Sequence, residues 1–93
     1  MIIICYDFSN DKVRTQFSTF LKKYGHAVQY SVYAISNSKR VLKNILAEIE
    51  CTYKKKIKNT DHVLIFQVCE QCQKKIIRFG RASHEVEDII YFE

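Results

Sequence analysis

The sequence predicts one α+β domain over residues 1–93, in which two helices cover one face of a β-sheet. Strand-like apolar runs alternate with two amphipathic helical segments, and 93 residues are enough for one domain and no more. The composition, 47% hydrophobic and 27% charged, is too apolar for a disordered chain and too interrupted for a membrane span. Because a chain this short buries only about 60–65% of its surface on folding, pairing two copies would add stability.

The start of the chain predicts a strand followed by a helix. Residues 2–6 form a continuous apolar run, which is typical of a central strand covered on both faces. Ser9 or Asn10 can cap the helix that follows, and Gly25 stands where a helix C-cap glycine would. The apolar positions of this helix recur at helical spacing and comprise Val13, Phe17, Phe20, Leu21 and Tyr24.

The next segment predicts β-structure and then a second helix. Residues 27–35 are β-branched and aromatic with partial alternation, which fits either one bent strand or a tightly turned pair. Ser36, Asn37 and Ser38 offer caps for the second helix, which ends in a lysine-rich stretch at 54–58, where cations complement the helix dipole. The apolar face of this helix comprises Leu42, Ile45, Leu46, Ile49 and Tyr53.

The last part of the chain predicts three more strands. After a turn at 59–61, they span residues 62–69, 76–79 and 89–92, with a short connection at 70–73. Strand, helix, strands, helix, strand is the ferredoxin-like βαββαβ plan, here with an extra C-terminal strand. Two helices can cover only one face of such a sheet, and its strands are apolar in nearly every register. A second copy of the chain is therefore the simplest partner for the other face.

Charge is distributed unevenly along the chain. The net charge is +5, and residues 1–81 carry all 15 lysines and arginines, whereas residues 82–93 carry four acidic residues and no base. A basic body suits a polyanionic partner such as nucleic acid, and a solubilising surface is the alternative. The apolar start lacks the flanks of a signal peptide, and the four cysteines are irregularly spaced. We therefore predict reduced thiols and a cytoplasmic protein that does not engage a membrane.

Several segments together resemble one known family. They are Tyr6-Asp7-Phe8 at the end of the first strand, the helix bearing Lys12 and Arg14, the runs 21–25 and 28–33, and the turn Cys69-Glu70-Gln71-Cys72. In order and spacing this set is similar to the CRISPR-associated protein 2 family over nearly the whole chain. The sequence departs from the family pattern at Phe8, where an aliphatic residue is frequent, and at Tyr33-Ala34, where Phe-Glu is common.

The resemblance implies a symmetric homodimer of ferredoxin-like subunits, in which the C-terminal strand extends the partner's sheet. It also implies that this dimer bridges two dimers of the integrase CRISPR-associated protein 1. That assembly captures short DNA duplexes and inserts them into a repeat array as new spacers. Some family members are described as metal-dependent nucleases acting on single-stranded RNA or double-stranded DNA. The alternative function is a stand-alone, toxin-like endoribonuclease of the same fold, unrelated to repeat arrays.

Asp7 is the predicted catalytic and metal-binding residue. It lies just past a buried strand, where a carboxylate can face solvent on a rigid support. Mg²⁺ is typically held by one or two carboxylates, several waters and the substrate phosphate. With the resemblance, Asp7 and Asp7 of the partner subunit would share the ion, whose bound water attacks phosphorus. The alternative is a polar residue that orders the turn into the first helix.

Basic residues form the predicted nucleic-acid-binding set. They are Lys12, Arg14, Lys22, Lys23, Lys54, Lys55, Lys56 and Arg78, with Lys58 and Arg81 beside them. The planar guanidinium of Arg14 suits phosphate oxygens, and a surface or interface salt bridge is its alternative. The lysines would track the backbone of duplex DNA without reading its sequence, and a solvated helix end is their alternative.

Other side chains capable of chemistry are assigned no site. Cys69 and Cys72 have the spacing of half a zinc site or a redox motif, but no second such pair follows, so a tight turn with apolar cysteines is the preferred interpretation. The histidines, none close to Asp7 along the chain, are His26, His62 and His84. The tyrosines predicted to pack in a core or interface rather than stack on bases are Tyr6, Tyr30 and Tyr33.

Overall fold

The computed structural model describes residues 1–77, and the strand predicted at 89–92 lies outside them. The strands of the described part are β1 (Ile2–Asp7), β2 (Gly25–Gln29), β3 (Val32–Ile35) and β4 (His62–Gln67). The helices are α1 (Asp11–Leu21), α2 (Lys39–Glu48) and the short α3 (Glu70–Gln73), and α2 continues as a π-helix at Ile49–Tyr53 and a 3₁₀ turn at Lys54–Lys56. The strands form one antiparallel sheet in the order β2-β3-β1-β4, which confirms the predicted ferredoxin-like α+β plan.

The chain after β4 differs from the sequence prediction. The strand predicted at 62–69 ends at Gln67, and the connection predicted at 70–73 forms α3. Ile76 and Ile77 belong to no strand, so the strand predicted at 76–79 is wrong for these two residues; its others lie outside the described part. The Ile76 N–H donates to the Gln73 carbonyl at 3.2 Å, because the helical turn of α3 runs on through this segment.

The two faces of β1 have different surroundings. Ile2, Ile4 and Tyr6 are buried and belong to the same core as residues of α1 and α2. Ile3 and Cys5 point to the opposite face and are half-buried. The sequence predicted cover on both faces; within the described residues of one chain, helices cover only one, because α1 and α2 lie on the same side of the sheet.

Aromatic side chains fill the core between the sheet and the helices. The Phe17 ring of α1 lies 5.0 Å from the Tyr6 ring and 4.8 Å from the Tyr53 ring, centre to centre, and both contacts are edge-to-face. Phe8, which follows the last residue of β1, lies 5.4 Å from Phe17. The cluster therefore anchors the end of β1 to both helices.

Helix α1 ends before the glycine predicted to cap it. Gly25 opens β2 opposite Ile35. A Cβ atom at position 25 would overlap the carbonyl oxygen of Ala34, so the close approach of β3, rather than a left-handed helix cap, requires the glycine. At the other end, Asn10 caps α1 as predicted, and its side chain accepts the Val13 N–H at 3.0 Å.

Residues 27–35 contribute to a turned pair of strands, one of the two predicted alternatives. Tyr30 and Ser31 join β2 to β3. Ser31 has a φ of 63°, in the left-handed region that tight two-residue turns favour and that side chains rarely adopt. The Ser31 carbonyl accepts the Tyr6 N–H at 3.1 Å, so the turn is tied to β1.

Helix α2 begins after Ser38, whose Oγ accepts the Val41 N–H at 3.3 Å. Ile45 and Tyr53 are buried as predicted, but Leu46 is 47% exposed. The buried stripe includes Val41, which rotates Leu46 to the outer edge of the stripe. None of the helices within residues 1–77 is long and apolar enough to cross a membrane.

Candidate functional site

Asp7 lies at the end of β1 on the sheet face that the helices leave uncovered, and its side chain is exposed. Strand alternation puts it in line with Ile3 and Cys5. The β1 strand pairs with β3 on one side and β4 on the other, which restrains the backbone beneath the carboxylate. The carboxylate of Asp7 is therefore accessible on a rigid support.

His62 lies directly opposite Asp7 in the β1–β4 register. Facing residues of an antiparallel pair have Cβ atoms about 4.5–5.5 Å apart, so a carboxylate and an imidazole share one corner of the sheet. The His62 ring is exposed, and its Nδ1 lies 3.5 Å from the Thr60 carbonyl oxygen. Distance along the chain does not reveal this neighbour, so His62 was absent from the predicted site. The antiparallel pairing of first and last strands in the predicted plan was the signal that could have found it.

Asp61 connects the two loops that flank this corner. Its Oδ1 accepts the Ser9 N–H at 2.9 Å, and its Oδ2 accepts the Lys58 N–H at 3.1 Å. These backbone hydrogen bonds, that from Lys58 first, hold the pKa of Asp61 below its ordinary value. The sequence placed Asp61 only in a turn, since the contact with Ser9 spans 52 residues.

Arg14 lies near the start of α1 and is partly paired. Its Nη1 donates to the Phe8 carbonyl at 3.1 Å, and its Nη2 forms a salt bridge with Asp11. The hydrogen bond to Asp11 is the main cause of the raised pKa of Arg14. The guanidinium carbon lies 6.0 Å from the centre of the Tyr30 ring. Arg14 therefore braces the loop after β1 and also faces the tip of the β2–β3 hairpin.

Two other predicted basic residues fall on opposite sides of α1. Lys22 lines a cavity of about 350 Å³ between α1 and the β2–β3 hairpin, together with Arg14 and Tyr30. Lys23 lines a cavity of about 370 Å³ between α1 and the end of α2, where Tyr53 forms part of the wall. Neighbours in the sequence thus serve separate grooves.

The lysine cluster that follows α2 lies beside α1. The Nζ of Lys56 donates to Oε1 of Gln16 at 3.0 Å and lies 5.6 Å from the centre of the Tyr53 ring. Lys54 forms an exposed salt bridge with Glu50 at 3.1 Å. Lys12, Lys55 and Lys58 of the predicted basic residues are also exposed. Arg78 and Arg81 lie outside the described residues.

Tyr30 departs from the prediction made for the three strand tyrosines. Tyr6 and Tyr33 are buried, but Tyr30 is 78% exposed at the tip of the β2–β3 hairpin. The prediction of a packed ring was wrong for Tyr30 because this residue belongs to the turn between two strands rather than to a strand. The sequence had left that choice open.

The uncovered sheet face is apolar. Cross-strand neighbours on it are Ile3 with Phe66 and Cys5 with Leu64, and both β4 side chains are 49% exposed. On the β2 side, His26 has a buried Nε2 that lacks a hydrogen-bond partner within residues 1–77. A contiguous apolar surface of this kind typically marks a protein interface.

The described residues include no complete metal site. Within residues 1–77, no three His, Cys, Asp or Glu side chains gather where they could hold an ion. Asp7 offers one exposed carboxylate, a ligand type that suits Mg²⁺ when waters and a substrate phosphate complete the coordination. Cys69 caps α3 and Cys72 lies within that helix, where the Cys69 Sγ accepts the Cys72 N–H at 3.4 Å. Both cysteines are exposed, so the prediction that they pack as apolar groups in a tight turn is wrong.

Comparisons with known proteins agree on one family. The model of the family described as CRISPR associated protein Cas2 matches residues 1–76. A protein from Methanospirillum hungatei named CRISPR-associated endoribonuclease Cas2 2 is 32% identical over 92 residues, covering 96% of each chain. One from Rhodospirillum rubrum, CRISPR-associated endoribonuclease Cas2 4, is 32% identical over 78 residues, covering 84% of this chain and 60% of its own. The crystal structure of a hypothetical protein from Thermus thermophilus superposes with a TM-score of 0.66 at 23% identity, over 87% of this chain and 90% of that one, and supports the fold.

Proposed function

The chain belongs to the CRISPR-associated protein Cas2 family, and we propose that it acts in CRISPR adaptation as a homodimer that bridges integrase subunits and holds duplex DNA by its backbone. The observation that carries the proposal is the apolar sheet face, on which Leu64 and Phe66 are each 49% exposed. A second copy seated on this face would remove these side chains from water.

A sheet-to-sheet homodimer would also gather the chemistry of the site. Asp7 stands at the margin of the uncovered face, in line with Ile3 and Cys5. Pairing two such faces about a two-fold axis would bring Asp7 of the partner subunit towards the first. The C-terminal segment would then extend the partner's sheet, and the assembled pair would bridge two dimers of the CRISPR-associated protein 1 integrase.

Exposed lysines support the binding of duplex DNA. Lys12, Lys22 and Lys23 lie on or beside α1, and Lys56 of the 3₁₀ turn at Lys54–Lys56 reaches that helix through Gln16. If phosphate contacts dominate, duplex affinity falls steeply between about 50 and 200 mM salt and differs little between sequences. A flat salt response in a filter-binding or anisotropy titration contradicts this part of the proposal.

Magnesium-dependent endonuclease activity on RNA or DNA is a second candidate function. The corner formed by Asp7 and His62 favours it, and two relatives carry endoribonuclease in their names. Asp7 of each subunit would hold Mg²⁺, which supplies an activated water and neutralises phosphate charge. The His62 imidazole, a side chain that can accept or donate a proton, lies at the same corner.

The homodimer is tested by native mass measurement of a matched pair of variants. Leu64→Glu places a charge on the uncovered sheet face, whereas Leu46→Glu places one at an equally exposed position on α2. We expect the wild type and Leu46→Glu to have twice the mass of one chain, and Leu64→Glu to shift towards the monomer. A monomeric wild type at working concentration overturns the proposed dimer.

Asp7→Ala separates the two candidate functions. Spacer acquisition should survive the substitution, because a scaffold needs the fold and the interface rather than the carboxylate, while cleavage should vanish. Loss of acquisition with an intact dimer counts against a pure scaffold. Co-purification with a neighbouring integrase, followed by mass measurement of the complex, distinguishes both functions from a stand-alone toxin-like endoribonuclease.

A further inference from the structure

The cavity between α1 and the β2–β3 hairpin combines an exposed aromatic ring with basic and polar side chains. We propose that this cavity binds one unpaired nucleotide of single-stranded nucleic acid, with Tyr30 stacked on the base and Lys22 paired with its phosphate. The inference rests on the proposed nucleic-acid function and adds to it a specific ligand, an unpaired nucleotide, and a specific binding site, this cavity.

Tyr30 is the most exposed aromatic side chain of residues 1–77, at 78%. The half-exposed ring of Phe66 lies on the uncovered sheet face, where a second copy would cover it. The hairpin tip offers Tyr30 no such cover within the described residues. A ring of this size in water is suited to stacking, because every nucleobase presents a π-face.

The backbone that carries the Tyr30 ring is fixed. Ser31 adopts the left-handed conformation, and its carbonyl accepts the Tyr6 N–H at 3.1 Å, which fixes the turn against β1. The Arg14 guanidinium lies 6.0 Å from the centre of the Tyr30 ring and is itself bonded to the Phe8 carbonyl. A pre-positioned ring lowers the entropic cost of stacking.

The rest of the cavity suits a nucleotide in size and polarity. Its volume is about 350 Å³, within the range of small-molecule sites. Lys22 supplies an exposed cation for phosphate, while the charge of Arg14 is partly offset by Asp11. The Thr15 hydroxyl and the Gln29 amide line the same space and can hydrogen-bond to a base edge or sugar.

The need for an open base face to stack on Tyr30 restricts the ligand to an unpaired nucleotide. Inside a duplex, both faces of a base are covered by its neighbours, so Tyr30 could reach only a base that is splayed out or at an end. Backbone contacts made by the exposed lysines do not require this. Substitution of Tyr30 should therefore lower the affinity for single strands and leave the affinity for duplex unchanged, and this difference makes the proposal testable.

The test compares four variants by fluorescence anisotropy at fixed salt. The variants are Tyr30→Leu, Tyr30→Phe, Lys22→Gln and the control Lys23→Gln, whose side chain lines the groove on the other side of α1. The probes are an oligothymidylate of about 8 nucleotides, its uridylate counterpart, an abasic strand of equal length and a duplex. The RNA and DNA arms identify which single strand the protein prefers.

We expect Tyr30→Leu to weaken oligothymidylate or oligouridylate binding by about 5- to 100-fold, with Tyr30→Phe close to the wild type. Binding of the abasic strand and the duplex should be unchanged in Tyr30→Leu. Lys22→Gln should weaken binding of single strands more than Lys23→Gln does. Native mass and circular dichroism check that each variant folds, which the exposure of these side chains favours.

Two outcomes overturn the nucleotide site. One is a Tyr30→Leu variant that binds single strands as the wild type does. The other is a Tyr30→Leu variant that loses abasic binding to the same extent, because the effect would then come from a displaced Arg14 and not from stacking. If either result is found and the wild type still binds duplex, the nucleotide site is overturned and the proposed function stands. If the wild type binds none of the probes, the nucleotide site and the proposed function are both overturned.

Discussion

The two faces of the sheet contain similar residues and treat them differently. On the helix-covered face, Ile4 of β1 is fully buried, as is Phe17, which belongs to α1 and to the same core. On the other face, Leu64 and Phe66 belong to the same sheet but are half-exposed. The apolar character of a strand residue therefore does not identify the element that covers it. One face is completed by the chain's own helices, and the other is the face that the proposed homodimer would complete.

The largest expected difference in the free energy of unfolding is between truncating Phe17, which packs against the covered face, and truncating Phe66 on the uncovered face. Phe17→Ala removes a ring that packs between Tyr6, Phe8 and Tyr53, and we expect it to lower the free energy of unfolding by about 3–5 kcal/mol. Phe66→Ala should cost less, and its cost should shrink as the protein is diluted, because the wild type then loses the same interface by dissociation. Urea titrations at two protein concentrations measure both effects. An equally large, concentration-independent loss in Phe66→Ala would break the comparison.

Gly25→Ala tests the edge of the sheet and should be the next largest effect. The added Cβ would overlap the Ala34 carbonyl oxygen, so β2 or β3 must shift, and we expect a loss of about 1–3 kcal/mol. The matched control is Ala27→Gly on the same strand, whose exposed side chain pairs opposite Tyr33 and should cost about 0.5–1 kcal/mol. A Gly25→Ala variant as stable as the wild type would show that the strands have room to separate.

Much of the fold follows from local pattern. The helical spacing of apolar residues is a property of neighbours in the chain and was predicted, and the caps Asn10 and Ser38 were each among the predicted candidates. Gly25 was misread because a helix cap and a close strand approach both call for glycine, and only the pairing of β2 with β3 distinguishes them. Leu46 was wrongly predicted to be buried because helical spacing alone does not distinguish two buried stripes that differ by a small rotation about the helix axis.

The candidate site depends on pairings that the sequence does not display. Asp7 could be chosen from its place after an apolar run, but its neighbour His62 comes from the β1–β4 register. Asp61 reaches Ser9 across 52 residues. The exposure of Tyr30 could be predicted only if residues 27–35 were known to contain a turn, because a tyrosine in a strand packs whereas this tyrosine in the turn projects into solvent. Contacts of long sequence separation therefore account for His62 and Asp61, whereas an undecided local turn accounts for Tyr30.

Acid should weaken the corner where the uncovered face meets its loops. Asp61 has a lowered pKa in the folded chain, so it contributes stability above its ordinary value of 3.8, and that contribution is lost as pH falls through the lower native value. The difference in unfolding free energy between the wild type and Asp61→Asn should be largest near neutrality and shrink below about pH 4. Urea titrations across pH measure it, and a difference that stays constant on acidification contradicts the assignment.

Cysteine labelling gives the smallest effect and the most local view of the two regions. Cys69 accepts the Cys72 N–H, and the hydrogen bonds made by Cys72 lower the pKa of Cys69, so iodoacetamide should alkylate Cys69 faster than Cys5. Burial raises the pKa of Cys5, which lies opposite Leu64 on the uncovered face and should react slowly.

Mass spectrometry of labelled peptides measures both rates, and Leu64→Glu is the variant that separates the causes. If a second copy covers Cys5, opening the interface should speed its alkylation while the rate at Cys69 stays the same. If the slow reaction of Cys5 comes only from its surroundings within one chain, both rates should match the wild type. That result would assign the protection of this face to the chain itself and remove the difference between the two faces.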